Sequence, residues 1–291
     1  MACTGRTIEE GAIFDTPLCV PENPQRVVVL DAGFGLGVGL DVDLPIVGAP
    51  LERMSDTALK ARAEEAGVTS IGFVTEPSLE SLVALQPDLI LGFIGNESMA
   101  SGIYPQLSGL APTLLYTDID WRAFYRLMAS LTDRTAEIEA RFADYDKRLS
   151  DIRERMPDTP VSVLRITSWD FQVYLDAPNT YAPFAVMQQA GVRRTEYETT
   201  TDPGLSMKRP DWEELAELDG EVLLYIVGGT NDSDKDGRHE EVLSNPLWQM
   251  LPAVQAGRVH RVGHGAWMQF SGLDSAHQVL DDLERYVIGR E

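Results

Sequence analysis

The side chains in this sequence best suited to directed chemistry are arginines and large aromatics placed just after predicted strands. Arg53 and Arg165 carry planar guanidinium forks that donate paired hydrogen bonds to oxygen-rich, anionic surfaces. Phe34, Trp169, Tyr181, Trp267 and Phe270 offer flat apolar faces for the rim of a bulky ligand, and Asn96 adds a polar contact. In open α/β sheets, ligands bind beyond the carboxyl ends of the strands. That rule selects Phe34 after the strand at 27–30, Arg53 after 46–48, and Phe93 and Asn96 after 89–92. It also selects Arg165 and Trp169 near the strand that follows Pro160, then Tyr181, the run Gly228 to Thr230, and Trp267 with Phe270 after the final strand.

Other motifs fall short of the chemistry they imitate. The run from Asp232 to Gly237 resembles the start of a calcium loop, but the twelfth position, where a bidentate glutamate belongs, is Leu243. Gly33, Gly35, Gly37 and Gly39 follow a strand without completing a dinucleotide fingerprint, because Val38 and Leu40 occupy the positions it needs. These glycines instead suit close packing of a loop and a helix start. Of the four histidines, only His260 and His264 are spaced i, i+4, in a predicted strand and loop, so no metal site is expected. No nucleophile-elbow pattern is present, and no catalytic residue is assigned. The cysteines are Cys3 and Cys19, too few for a four-thiolate zinc site. Cys3, close to the start, suits attachment of a lipid, with a Cys3–Cys19 disulfide as the alternative.

With 291 residues the chain is long enough for two lobes, and 44% hydrophobic residues place it among globular proteins. Its 46 acidic and 24 basic residues give a formal charge of −22, which repels nucleic acid and anionic lipid surfaces. No segment approaches the roughly 18 to 20 apolar residues of a bilayer span, and no secretory signal precedes the first lobe.

The elements that must position these side chains are written twice. Leu79 to Leu91 reads LESLVALQPDLIL and Trp212 to Leu224 reads WEELAELDGEVLL, so Glu80 aligns with Glu213 at an offset of 213 − 80 = 133. The strand at 27–30 matches that at 161–164 at 161 − 27 = 134. A short helix followed by a buried strand is half of a β/α crossover unit, which builds sheets covered by helices on both faces. Between the copies, Ile138, Phe142, Tyr145, Leu149 and Ile152 recur at steps of four and three, the stripe of an amphipathic helix. From Asp133 to Met156 it would span roughly 36 Å at about 1.5 Å per residue.

The segments EPSLESLVALQPDLIL, YPQLSGLAPTLLY and LSNPLWQMLPAVQAGRVHRV, followed by Trp267 and LDDLERY, resemble the helical-backbone (class III) periplasmic substrate-binding proteins. That family serves iron-siderophore, haem and cobalamin importers, and the similarity, from about Arg26 to Val287, looks like the siderophore branch. The resemblance implies an α/β fold of two Rossmann-like lobes with mostly parallel sheets, joined by a long helical backbone. The expected division is a tether at 1–25, a first lobe at 26–119, a connecting helix at 120–156 and a second lobe at 157–291.

The resemblance further implies a ferric siderophore held in the cleft between the lobes and delivered to an ABC-type permease, with no intrinsic cofactor. Arg165 and Trp267 fall where siderophore-binding relatives place ligand contacts. Glu80 and Glu213 match glutamates that dock to permease arginines. A monomer outside the cytoplasmic membrane is expected, touching the membrane through a lipid anchor alone. Haem or cobalamin on the same fold is the closest alternative, with Tyr181 or His264 as an axial haem ligand; an α/β enzyme is the alternative from another class.

Overall fold

The computed structural model describes residues 3–73, 76–94, 97–229 and 231–289. The chain divides into two compact units, Met1–Phe142 and Ala143–Glu291.

Unit 1 contains β1 (Arg6–Ile8), β2 (Leu18–Val20), β3 (Val27–Val29), α1 (Phe34–Asp41), β4 (Ile46–Ala49), α2 (Thr57–Glu65), β5 (Thr69–Ser70), β6 (Gly72–Phe73) and β7 (Glu76–Pro77). It continues with α3 (Leu79–Leu85), β8 (Leu89–Phe93), α4 (Glu97–Leu107), β9 (Thr113–Tyr116), α5 (Trp121–Leu131) and the first part of α6 (Thr135–Arg155). Its main sheet has the order β5-β4-β3-β8-β9, with every pair parallel. Val27, Val28 and Val29 of the central strand are fully buried. β-branched runs of this kind suit a strand covered on both faces, each side chain contributing roughly 1.5–3 kcal/mol by leaving water.

The glycine run Gly33 to Gly39 lies at the start of α1 and along it. A Cβ at position 35 would fall 2.2 Å from the Asp31 carboxylate, which is held by backbone N–H groups, so close approach requires glycine there; at 39 it would displace the Ile46 δ-methyl, 2.8 Å away.

Unit 2 contains β10 (Val161–Ile166), β11 (Phe171–Tyr174), α7 (Ala182–Gln189), β12 (Met207–Lys208), a 3-10 turn at Glu214–Glu217 and β13 (Val222–Ile226). There follow α8 (Arg238–Ser244), α9 (Pro246–Gln249), α10 (Pro252–Gln255), β14 (Val259–Val262), α11 (His264–Met268) and α12 (Leu273–Leu283), which runs into a π-helical turn at Glu284–Ile288. Its sheet order is β12-β11-β10-β13-β14. β10, β13 and β14 are parallel, whereas β11 and β12 join antiparallel.

The duplication seen in the sequence is the parallel triplet of each sheet. β3 and β10 begin 161 − 27 = 134 residues apart, and β8 and β13 begin 222 − 89 = 133 apart. The copies differ in the two strands added beside the central one, parallel in unit 1 and antiparallel in unit 2.

Two boundaries differ from expectation. The segment 1–25 is not a tether: β1 pairs with β2, Ile8, Ile13, Leu18 and Val20 are buried, and Ile13 bridges to Tyr116 of β9. Arg6 also donates to the Ser130 carbonyl at 2.6 Å. Pairing across more than a hundred residues leaves no local periodicity to read. The stretch 120–156 is two helices, α5 and α6, parted near Asp133, which adopts φ 56°. Asp120 caps α5 by accepting from the backbone N–H groups of Arg122 and Ala123. Along α6, Ile138, Phe142, Tyr145 and Ile152 are buried and Leu149 is half-buried, and the division between the units falls within this helix.

The sulfur of Cys3 is bonded to that of Cys19 at the middle of β2, the arrangement that the sequence leaves open to this cysteine when no lipid is attached to it.

Candidate functional site

In unit 1 the carboxyl end of the sheet is closed by aromatic rings around a buried acid. Phe34, at the start of α1, packs its ring 4.8 Å from Phe93 and 5.3 Å from Phe124, while Phe93 stacks on Tyr116 at 5.8 Å. Asp31, just beyond β3, accepts the backbone N–H of Gly35 at 2.6 Å and that of Phe93 at 3.0 Å, tying together the ends of β3, α1 and β8. Burial of this carboxyl group pushes its pKa up to about 6, opposed by the backbone donors that favour the anion. Arg53, after β4, is exposed, holds φ 56°, and lays its guanidinium 5.1 Å from the Phe73 ring centroid.

In unit 2 the carboxyl end is polar. The register aligns Arg165 of β10 with Ile226 of β13, and Ile226 with Val262 of β14, so the residues after these strands share one rim. Arg165 is half-buried; its Nη1 donates to Gln172 Oε1 at 3.2 Å, and its buried Nε has no hydrogen-bond partner among the described residues. Gln172 is buried and also donates through Nε2 to Asp170 at 3.2 Å, while Tyr174 donates to Gln172 Oε1 at 3.4 Å. Asp170 is in turn held by Arg209, whose guanidinium lies 5.2 Å from the exposed ring of Trp169.

His264 opens α11 against the glycine pair at 228 and 229, which adopts φ 129° and 87°. A side chain on Gly229 would fall 2.5 Å from His264 Nε2, so the ring fits because glycine stands there. Burial, reinforced by the nearby positive charge of Arg165 and partly opposed by Asp232, pushes the His264 pKa down to about 4. The imidazole is therefore neutral at pH 7.

The expected site residues separate into two groups. Arg53, Arg165, Trp169 and Tyr181 lie at the carboxyl ends with solvent access, and the Tyr181 hydroxyl donates to the Met268 carbonyl at 3.1 Å. Phe34, Trp267 and Phe270 do not line a surface: they are 7%, 0% and 3% exposed. Trp267 donates its indole N–H to Asp282 at 2.8 Å and packs edge-on to Phe184, a core residue with its polar atom satisfied. Asn96 and Thr230 lie outside the described residues.

Asp31, Gln172, Tyr174 and Arg209 were absent from the sequence-derived set. Asp31 could have been found there, because it stands at the duplication offset from Arg165, 165 − 31 = 134. Glu80 and Glu213 are exposed, in the first turn of α3 and immediately before the 3-10 turn. In the acidic loop after β13, Asp234 pairs with Arg261 and contacts His239, and Asp232 pairs with Lys235. Among the described residues no group of His, Cys, Asp and Glu is arranged to hold a metal.

Each unit presents the loops after its parallel strands where ligands meet open α/β sheets, and similarity to known proteins gives the family. Residues 32–264 match the family described as periplasmic binding protein. The ferric enterobactin-binding periplasmic protein FepB of Escherichia coli is 30% identical over 283 residues, 90% of this chain and 85% of that one. The probable siderophore-binding lipoprotein YfiY of Bacillus subtilis is 29% identical over 284 residues, 92% of this chain and 84% of that one. In fold, SirA of Staphylococcus aureus complexed with staphyloferrin B superposes with a TM-score of 0.76 at 19% identity, covering 92% of this chain and 94% of that one. The chain belongs to the periplasmic binding protein family; it is a substrate-binding protein, not an enzyme.

Proposed function

We propose that this protein captures a ferric siderophore outside the cytoplasmic membrane and delivers it to an ABC-type permease. The observation that carries the reading is Arg165: a half-buried guanidinium at the strand ends of unit 2, with no salt bridge to a carboxylate among the described residues, beside a neutral His264. A chelate that already wraps its iron in oxygen donors needs hydrogen-bond donors and flat faces from the protein, not metal ligands. Arg165, Tyr181 and Trp169 supply these in unit 2, and Arg53 with Phe73 in unit 1. The names of the relatives, which bind ferric enterobactin or other siderophores, support the same class of ligand.

Titration of tryptophan fluorescence with a panel of ferric siderophores tests the reading. Saturable quenching is expected, reported by the exposed Trp169, and Trp169→Phe should remove most of the signal without removing binding. Haem is the control: a Soret shift on titration, with no response to any ferric chelate, would reverse the assignment.

Glu80 and Glu213 serve as the permease contacts, one on each unit. The exposure of both and their equivalence at an offset of 133 support this role. Glu80→Ala combined with Glu213→Ala should abolish uptake while leaving ligand affinity unchanged; normal uptake by the double variant would refute it.

A further inference from the structure

The duplication places Asp31 and Arg165 at the same point of their sheets, one step past the equivalent core positions Leu30 and Leu164. Asp31 is answered from within the protein by backbone N–H groups on both sides. Arg165 is not answered in kind. Many arginines meet carboxylates, as Arg62 does with Asp41, Arg134 with Asp43, Arg148 with Asp281 and Glu284, and Arg194 with Glu198. Arg238 donates to a backbone carbonyl and Arg26 likewise, whereas Arg165 meets a neutral side-chain amide at the strand ends, with its buried Nε unpartnered among the described residues.

The surroundings preserve its positive charge. The nearest acid in the network, Asp170, is balanced by Arg209 and separated from Arg165 by the amide of Gln172, which accepts from the arginine and donates to the aspartate. Asp232, beyond His264, is paired with Lys235. His264 adds no second charge and fills the side toward the glycine pair. A partly desolvated cation held this way gains most from an anion that brings its own oxygens.

Resting on the ferric siderophore reading above, we infer that the chelate this protein takes is a net anion, presenting carboxylate or catecholate oxygens to Arg165, and that neutral or cationic ferric trihydroxamates are discriminated against. Gln172 is the positioning residue that keeps Asp170 from claiming the guanidinium.

The test is fluorescence titration with three probes: ferric dicitrate, a ferric tris-catecholate and a ferric trihydroxamate without negative charge. At least one anionic probe should bind more tightly than the trihydroxamate and weaken as salt is added. Arg165→Gln should lower anion affinity about 10- to 100-fold and lower trihydroxamate affinity by a clearly smaller factor, so that the preference between the two classes narrows. Gln172→Glu, which supplies the missing counter-ion while retaining the arginine, should weaken the anion likewise, with a folded circular dichroism spectrum and a cooperative melt. It keeps the test decisive should Arg165→Gln fold poorly. A trihydroxamate bound as tightly as the anions, or anion affinity unaltered in both variants, overturns the charge inference and leaves the siderophore reading intact. Binding of none of the three overturns the siderophore reading itself, and this inference with it.

Discussion

At the end of the central strand, unit 1 carries Asp31 and unit 2 carries Arg165, and around these equivalent positions the two units have become opposites. In unit 1 the charge is consumed internally: the carboxylate fastens α1 and β8, and Phe34, Phe93, Tyr116 and Phe124 close over the strand ends. In unit 2 the charge is kept available: an antiparallel strand brings Gln172 beside the guanidinium, and its amide satisfies one N–H without neutralising the group. One β/α scaffold thus supports a structural clamp in one copy and, in the other, the group we propose for recognition. The strand added beside the central one decides which, because it sets what lies next to the central strand's last residues.

The strongest way to break this comparison is to make the copies alike. Arg165→Asp puts an acid where no backbone donors await it, and should reduce anion affinity by about 1000-fold, read by titration. The same change removes the positive neighbour of His264, so an NMR titration should show that ring protonating at higher pH than in the parent.

Next in size is Asp31→Ala, which strands the N–H groups of Gly35 and Phe93 and opens space against Gly35. A loss of about 3 kcal/mol is expected in urea unfolding, larger than for any substitution of exposed Arg53.

The pH dependence of stability should separate the units. Asp31 has its pKa raised from 3.8 to about 6 in the folded protein, so the folded state holds the extra proton between those values. Its contribution is complete below about pH 4 and is lost as pH rises through 6. His264 is lowered from 6.5 to about 4, so the folded state holds fewer protons there, and its contribution is lost as pH falls through the same window. Each is worth on the order of 2 kcal/mol. Asp31→Asn should therefore make the protein lose more stability on acidification from pH 6.5 to 4 than the parent does, and His264→Gln less; matching slopes in the two variants would dissolve the contrast.

The smallest effect expected is at Arg53, whose φ of 56° is unfavourable for any residue with a side chain. Arg53→Gly should raise the unfolding free energy by about 1 kcal/mol while weakening ligand binding. A gain in stability with no loss of affinity would assign Arg53 to packing on Phe73 alone.

Much of the scaffold was legible in the residues because it is periodic. The twin helix–strand segments and the stripe Ile138 to Ile152 announce themselves through spacing; the structure places both strands, α3 and α6 near the expected limits, while the helix expected before β13 is only the 3-10 turn at Glu214–Glu217. The site was legible only as positions along the chain. Being after a strand does not say which way a side chain points, so Trp169 and Arg165 reach the rim while Phe34, Trp267 and Phe270 are absorbed into cores. Trp267 found Asp282, and Arg165 found Gln172, through tertiary contacts that no local pattern encodes. The first 25 residues were misread for a related reason, since what organises them is β9, far along the chain.

That last arrangement bears on how the protein behaves in company. β9 ends its sheet, and a bare outer strand invites a stranger's backbone to zip onto it. Residues 12 to 14 take that place themselves, with Phe14 donating to the Leu115 carbonyl and Thr117 to that of Ala12, and the Cys3–Cys19 bond closes the loop that carries them. The opening of the chain is thus a chaperone for its own flank, and clipping it away would cost solubility before it cost the fold.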